Sequence, residues 1–471
     1  MSLIKSAGKL TIANVSKSIL GFLGIVIFTR QVGASELGVF FLFQAVVGIC
    51  AIGADFGIND AVKKRISEGE NQGEFLLSAI LLKISSTSII SILILLSRDY
   101  IAAYLGVDFA YLLIITLFVQ QFANVSVSTL HGEIRVGETA PIEVMQQVVW
   151  VGTGVLLTTL NPTATSLIEA YILAALSKLV YAWHLKQTTV SFPNSKQVGS
   201  LFDYSKFSLI SSVGGYLYSW MDVLIIGYFL TSEFVAAYEV AWRVSGVIVI
   251  LSRSVSLSIF PRVSDWSVDN AVDEISRVIT DATTTSLMIC IPAFSGTVLL
   301  STEILQFVFD EEYTIAALAM IILMFEKTFQ AVHQVWGHSL QAIDRPDQAA
   351  SAAVVSIIVN MMLNLLLVPA YELEGAATAT AISFLLNTAL HARYLNRSVP
   401  IRMEWNKIGW SILSAFIMSA IVYVVSEIVN IDSIATLLVL ISVGILTYFA
   451  ILPIYPPIKT DLSTVFSALT P

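Results

Sequence analysis

Charge is scarce in this sequence: 13% of its 471 residues are Asp, Glu, Lys or Arg, about half the 25% typical of soluble domains. A chain so poor in charge cannot coat a water-facing surface, which excludes a soluble enzyme as the starting point. No long basic block is present and the net charge is −9, so no nucleic-acid partner is expected. Cysteine is nearly absent: Cys50 and Cys290 lie far apart in apolar stretches, and neither a disulfide framework nor a zinc site follows. A P-loop, a dinucleotide motif, a nucleophile triad and a metal-ligand cluster are missing too, so catalysis, ATP use and a cofactor are not expected.

What the sequence has is hydrophobicity, with 56% apolar residues and a mean hydropathy of +0.81. A membrane-spanning helix needs about 20 mainly apolar residues, and fourteen such runs are read along the chain. They cover residues 10 to 30, 37 to 58, 75 to 97, 110 to 130, 142 to 160, 164 to 185, 205 to 229, 234 to 257, 280 to 300, 314 to 340, 349 to 369, 374 to 394, 407 to 427 and 433 to 453. The expected fold class is therefore all-α, a polytopic membrane protein of about 14 transmembrane helices with no room for a sizeable soluble domain. The first run contains Lys17 and lacks a small-residue cleavage site, so it is expected to stay as helix one rather than be removed.

Lysines and arginines are retained in short cytoplasmic loops. They fall at the N-terminus (Lys5, Lys9) and in even-numbered connections, from Lys63, Lys64 and Arg65 to Arg393, Arg397, Arg402 and Lys407; odd-numbered connections hold only Arg30 and Arg98. Both termini are thus expected in the cytoplasm of a cell whose plasma membrane the chain spans many times.

Ala34–Phe40 resembles Ser232–Tyr238 at a shift of 198, and Arg65–Ser67 resembles Arg262–Ser264 at a shift of 197. The two matches suggest duplicated six-helix halves, which, six being even, share one orientation. The expected division is an N-terminal six-helix lobe, 1–195, a C-terminal one, 196–400, and two further helices with a cytoplasmic tail, 401–471.

Charged residues lie inside the apolar runs: Lys17, Asp55, Lys83, Glu143, Lys178, Asp222, Glu239, Arg243, Arg253, Asp281, Glu326 and Lys327. Ten of these facing lipid would cost roughly 25 to 35 kcal/mol on insertion scales, more than the 5 to 15 that holds a typical fold together. Most must face a wet lumen or one another. Helical spacing groups polar residues on single faces: Asn14, Lys17, Gly21 and Gly24 in helix one; Gln44, Gly48 and Asp55 in helix two; Ser208, Ser212, Gly215, Ser219 and Asp222 in helix seven. Helix ten has Glu326, Gln330, His333, Gln334, Gly337, His338 and Gln341, and helix eleven Ser356, Asn360 and Asn364. Such stripes line a hydrophilic chamber or serve as interhelical hydrogen-bond glue; for the lysines and the arginine the chamber is the preferred reading.

Lys17, Lys83 and Arg243 are the candidates for holding a phosphate. Glu239 and Arg243, four residues apart with the acid first, also suit a structural ion pair. Asp55 and Asp222 are candidate cation or proton sites, with salt bridges to the lysines as the other reading. His333 titrates near neutrality when unperturbed, and with Glu239, Glu326, Asn360 and Asn364 completes the cavity and ion-coupling set.

The run Asn364-Leu-Leu-Leu-Val-Pro369 to Gly375-Ala-Ala-Thr-Ala-Thr380 resembles the signature N-x-x-L-I-P-x-x-G-x-x-G-A-A-x-A-T of Wzx-type polysaccharide flippases. Phe28-Thr29-Arg30-Gln31-Val32-Gly33 with Gly38 is similar to the family's segment after helix one, and Leu340-Gln341-Ala342 with Arg345 to the end of helix ten. Asp222 with Ile226-Gly227, and Phe260-Pro261 closing helix eight, match further positions. Asp344, Glu372-Leu373 and Ala236 stand where the family more often has glycine. The resemblance implies a member of the MATE-like flippase superfamily that moves a lipid-linked oligosaccharide, on a polyprenyl phosphate or diphosphate, to the outer leaflet by alternating access. A Na⁺ or H⁺ counter-ion and polysaccharide assembly proteins are its implied partners. A MATE-type multidrug antiporter and a lipid II flippase are the alternatives of the same architecture.

Overall fold

In hydrocarbon every backbone N–H and C=O must find its partner within the segment, so long apolar runs can only become helices. A computed structural model of the chain describes residues 3–460, without the side chains of 3–11, 207–215, 217 and 218. Among the described residues there is no strand.

The chain falls into two compact units, Met1–Ala236 and Ala237–Pro471. The helices of the first are α1 (Leu3–Asp55), α2 (Ile58–Ser67), α3 (Gln72–Leu96), α4 (Arg98–Leu105), α5 (Ala110–Gly132), α6 (Thr139–Leu160), α7 (Ala164–Leu185) and α8 (Ser195–Phe229). Then follow α9 (Ser232–Gly246), α10 (Val249–Val268), α11 (Val272–Ile304), α12 (Ala317–Ala342), α13 (Pro346–Leu395), α14 (Trp405–Ile428) and α15 (Ile434–Ile451).

Ten stretches of the described residues are long and apolar enough to cross a membrane, or eleven with α9 and α10 taken as one span bent by 43°. Two of the ten are double: α1 breaks at Gly33 (φ 78°, ψ 170°) and α13 at Glu372 (φ 49°, ψ −125°). Splitting them gives thirteen spans. The remaining run, 205 to 229, lies in α8, whose central side chains, with the helix-seven positions Ser208, Ser212 and Gly215, fall outside the described residues.

Several expected boundaries move. Residues 31 to 36 are not a loop between helices one and two, because helix continues on both sides of Gly33, whose positive φ suits a residue with no Cβ. Helices eleven and twelve meet at Glu372, and Pro369 sits within the helical stretch before it. Pro261 does not close helix eight; α10 continues through it to Val268. Two short helices, α2 and α4, were not expected at all, and Phe56 (φ 48°) and Gly57 (φ 76°) separate α2 from the end of α1.

In the first unit, small residues let α1 and α6 approach closely. A Cβ on Gly154 would stand 2.5 Å from the Phe28 ring, and one on Gly24 would stand 2.8 Å from Val151. Beyond the ends of α5 and α7 the backbone is clasped by Glu133. Its Oε1 accepts from the amides of Gln187 and Thr188 and from the Thr188 hydroxyl, at 2.7–2.8 Å. Arg135 donates to Glu133, to Glu138 and to the Leu185 carbonyl. In the second unit α14 and α15 bury Ala415, Met418, Leu437 and Leu440 together with Leu300 of α11. Tyr448 fixes that contact by donating to the Met288 carbonyl at 2.8 Å.

Candidate functional site

The polar face expected on helix one is a helix–helix contact with a charged rung. Lys17 meets Glu143 of α6 at 2.5 Å; one turn on, a Cβ at Gly21 would meet the Gln147 side-chain amide at 3.2 Å. Glu143 and Gln147 are four residues apart, as Lys17 and Gly21 are, so the two helices run in matching steps. The second carboxylate oxygen of Glu143 takes Lys178 of α7 at 2.9 Å. The protein does not close these side chains off: Lys17, Glu143 and Lys178 are 40%, 21% and 14% exposed.

Lys83 is a different kind of residue. Its side chain is fully buried on α3, paired with Asp55 at the end of α1 and donating to the Gln121 amide oxygen of α5. Gln121 in turn donates to the Ala51 carbonyl at 3.3 Å, and Asp55 accepts from the Asn59 amide at 3.3 Å. One cation, one anion and a neutral amide close the network, and α1, α2, α3 and α5 are joined by it. On the face of Gly48, expected to be polar, a Cβ would stand 3.4 Å from the Trp220 ring of α8. Asp222, on the same helix, is half-buried.

In the second unit Arg243 lies 2.6 Å from Glu239, one turn earlier on α9. Arg243 is 33% exposed and Glu239 5%. Glu326 and Lys327 of α12, both buried, are 2.6 Å apart, and the Lys327 ammonium stands 5.3 Å from the centre of the Trp242 ring, within cation–π range.

Further along α12, His333, Gln334, Gly337, His338 and Gln341 line a cavity of about 290 Å³ with Ala349, Ala350, Ala353 and His391 of α13. The rings of His333 and His391 are 4.4 Å apart and nearly perpendicular. His391 Nδ1 bonds the Asn387 carbonyl at 2.8 Å, and His338 Nδ1 stands 2.8 Å from the Ser256 hydroxyl. Asn360 donates to Thr380 and Ser383 at 3.2 and 3.0 Å, and Asn364 to the Asn360 carbonyl at 3.0 Å; the helix-eleven stripe thus ties the two halves of α13 together.

Lys178, Gln121 and His391 were not among the expected site residues. The sequence did hold a signal for His391: Thr380, Ser383, Asn387 and His391 repeat at three and four residues on one face. Gln121 had none, since its role depends on which neighbour α5 turns it toward.

Helical bundles with ion pairs set inside apolar spans define a polytopic membrane protein, and the architecture is that of the lipid flippases and MATE transporters. The inward closed lipid II flippase MurJ matches with a TM-score of 0.82 over 96% of this chain and 99% of its own, at 18% identity. An inward-facing multidrug resistance MATE family transporter matches with a TM-score of 0.63 over 82% and 98%, at 15% identity. By sequence, the chain belongs to the polysaccharide biosynthesis protein family, whose profile matches residues 27–318. It is 46% identical to the "Probable low-salt glycan biosynthesis flippase Agl15" of Haloferax volcanii over 98% of this chain and 97% of the relative. It is 25% identical to the "Probable flippase AglR" of the same organism over 88% and 87%.

Proposed function

We propose that this protein moves a lipid-linked oligosaccharide, carried on a polyprenyl phosphate or diphosphate, from the cytoplasmic to the outer leaflet of the plasma membrane by alternating access. It would serve surface glycan assembly and carry out no covalent chemistry. The observation that carries this reading is the 46% identity, across nearly the whole of both chains, to a relative named as a glycan biosynthesis flippase. The physical need is plain: a phosphorylated sugar headgroup cannot cross hydrocarbon, where each uncompensated polar group costs several kcal/mol.

Of the three basic residues chosen from sequence, Lys17 and Arg243 keep exposed surface and Lys83 keeps none. We therefore give phosphate contact to Lys17 and Arg243 and let Lys83 hold Asp55 in place. Asp222, Glu239, Glu326, His333, Asn360 and Asn364 remain the proposed polar and ion-coupling positions, with Na⁺ or H⁺ as the counter-ion. Carrying a negative charge outward gains about 2.3 kcal/mol per 100 mV, inside negative, so potential alone can bias the direction. The lysine and arginine distribution supports termini in the cytoplasm, and the weak repeat supports two six-helix halves, 1–195 and 196–400, followed by two further helices.

The test is protein-dependent translocation of a lipid-linked oligosaccharide in reconstituted vesicles, with and without imposed sodium, proton and potential gradients. The expected result is translocation that is lost when Lys17 and Arg243 are neutralised together. Export of cationic drugs without any movement of the oligosaccharide would overturn the reading in favour of a multidrug antiporter, and movement of lipid II alone would favour peptidoglycan assembly.

A further inference from the structure

Two ion clusters in the first unit differ in their arithmetic. Lys83 and Asp55 balance one to one and are closed off, the lysine completely. Glu143 faces two ammonium groups, Lys17 at 2.5 Å on one oxygen and Lys178 at 2.9 Å on the other, and so leaves a charge of +1. His131 of α5 is an electrostatic neighbour of Lys63, Glu143 and Lys178. A surplus cation among apolar helices is costly unless water or an anion reaches it, and this cluster is the one left partly open.

The chain builds the cluster deliberately in space. Helices α6 and α7 form a hairpin about Asn161, with Glu143 eighteen residues before it and Lys178 seventeen after it. At equal rise per residue the two side chains arrive at the same depth. The close α1–α6 approach at Gly21 and Gly24 then brings in Lys17.

We propose that Lys17 and Lys178 form a two-lysine phosphate site and that Glu143 is its internal stand-in, filling the site when it is empty and yielding to the phosphate of a lipid headgroup. This rests on the flippase reading above and adds to it a second phosphate-holding lysine and a built-in competitor. Because the carboxylate neutralises only part of the lysine charge, an incoming phosphate gains both ammonium groups and is opposed by one anion. Binding is then moderate rather than tight, as release on the other side requires.

The experiment uses the full-length protein in nanodiscs and measures binding of a polyprenyl monophosphate, with the uncharged polyprenol and inorganic pyrophosphate as separate probes. Lys178→Gln should weaken polyprenyl phosphate binding about tenfold or more, as should Lys17→Gln, whereas Glu143→Gln should tighten it about tenfold. Arg98→Gln, whose partner is Asp108 on the other side of α4, should change nothing. Binding by Glu143→Gln that is unchanged or weaker in a protein that melts as wild type does would overturn the proposal. If Glu143→Gln does not fold, Glu143→Asp keeps the charge but withdraws it by one methylene, and must tighten binding; no gain there overturns the proposal equally. Competition by pyrophosphate supports the phosphate site, while equal binding of polyprenol, or pyrophosphate binding that gains nothing from the lipid chain, overturns the lipid-headgroup assignment. The two readings fail separately. Loss of oligosaccharide translocation in wild-type vesicles with these shifts intact would sink the flippase reading; wild-type translocation with no shift in either Glu143→Gln or Lys178→Gln would sink this one.

Discussion

The Lys83 ammonium, on a side chain with no exposed surface, lies between the Asp55 carboxylate and the Gln121 amide oxygen. Two segments from different helices, the end of α1 and the middle of α3, are pinned by that one contact. Removing one member leaves the other charge buried without compensation, which typically costs about 3–5 kcal/mol. Lys83→Met should therefore lower the melting temperature in detergent sharply. Lys83→Met combined with Asp55→Leu removes both charges and should recover much of the loss. Equal melting temperatures for Lys83→Met and wild type would show that the contact holds nothing together.

How much of this was legible beforehand differs by residue. The apolar runs were, because length and hydropathy suffice to define a span. Within a helix, so were Glu239 and Arg243, whose contact follows from four-residue spacing alone. Lys83 with Asp55 was legible only as the second of two readings, a salt bridge from the aspartate to one of the lysines, and Lys178 with Glu143 was not legible. Each pair joins different helices, and which way a helix is rotated is decided by packing, by Gly154 against Phe28 for example, rather than by any period in the sequence. The breaks near Gly33 and Glu372 were legible as polar junctions, through Arg30, Gln31, Ser35 and Glu36 and through Glu372 and Glu374; that one residue with positive φ makes each break, with helix on both sides, was not.

The α1–α6 contact that delivers Lys17 to Glu143 depends on the absence of a side chain. A Cβ at Gly154 would stand 2.5 Å from the tip of a ring that also packs edge-on with Trp150 at a centroid distance of 5.1 Å. Phe28 is fully buried and cannot swing away. Gly154→Val should destabilise the protein by about 1–3 kcal/mol, the usual cost of overpacking. It should also reduce crosslinking between cysteines placed in α1 and α6 near Lys17 and Glu143. Unchanged melting with unchanged crosslinking would contradict the close contact.

Glu133 makes stability depend on pH. Its burial alone would raise the carboxyl's pKa, but the Thr188 and Gln187 donors and Arg135 outweigh burial and hold it below its ordinary 4.5. A carboxyl lowered in the folded state contributes stability that is fully present above its unfolded value and lost as pH falls through the folded one. The melting temperature of wild type should thus be flat, as far as Glu133 is concerned, from pH 7 down to about 5, then drop in more acid solution. Glu133→Gln should melt lower at pH 7, and the gap to wild type should narrow as pH falls below about 4.5 through the lowered pKa of the folded state. A gap that stays constant across that range would show that the clasp does not depend on the ionised carboxylate.

Glu372 is the reverse of Gly154, a residue with a side chain where none is wanted. It stands at φ 49° and ψ −125° in the break of α13, a region that a non-glycine residue occupies at a cost of about 1–3 kcal/mol. The side chain is exposed, so its removal gives up no buried contact. Three residues later Gly375 lets the chain pass close to itself, since a Cβ there would stand 2.3 Å from the Leu367 carbonyl oxygen, and the break cannot relax by moving apart. Against the relief of strain, glycine loses more backbone freedom on folding, about 0.5–1 kcal/mol relative to alanine. Relief is the larger of the two, so Glu372→Gly should raise the melting temperature, and Gly375→Ala should lower it. The pair is diagnostic: Glu372→Gly melting below wild type would mean that the backbone at the break does not hold the left-handed conformation, and the junction of the two halves would have to lie elsewhere in residues 369 to 375.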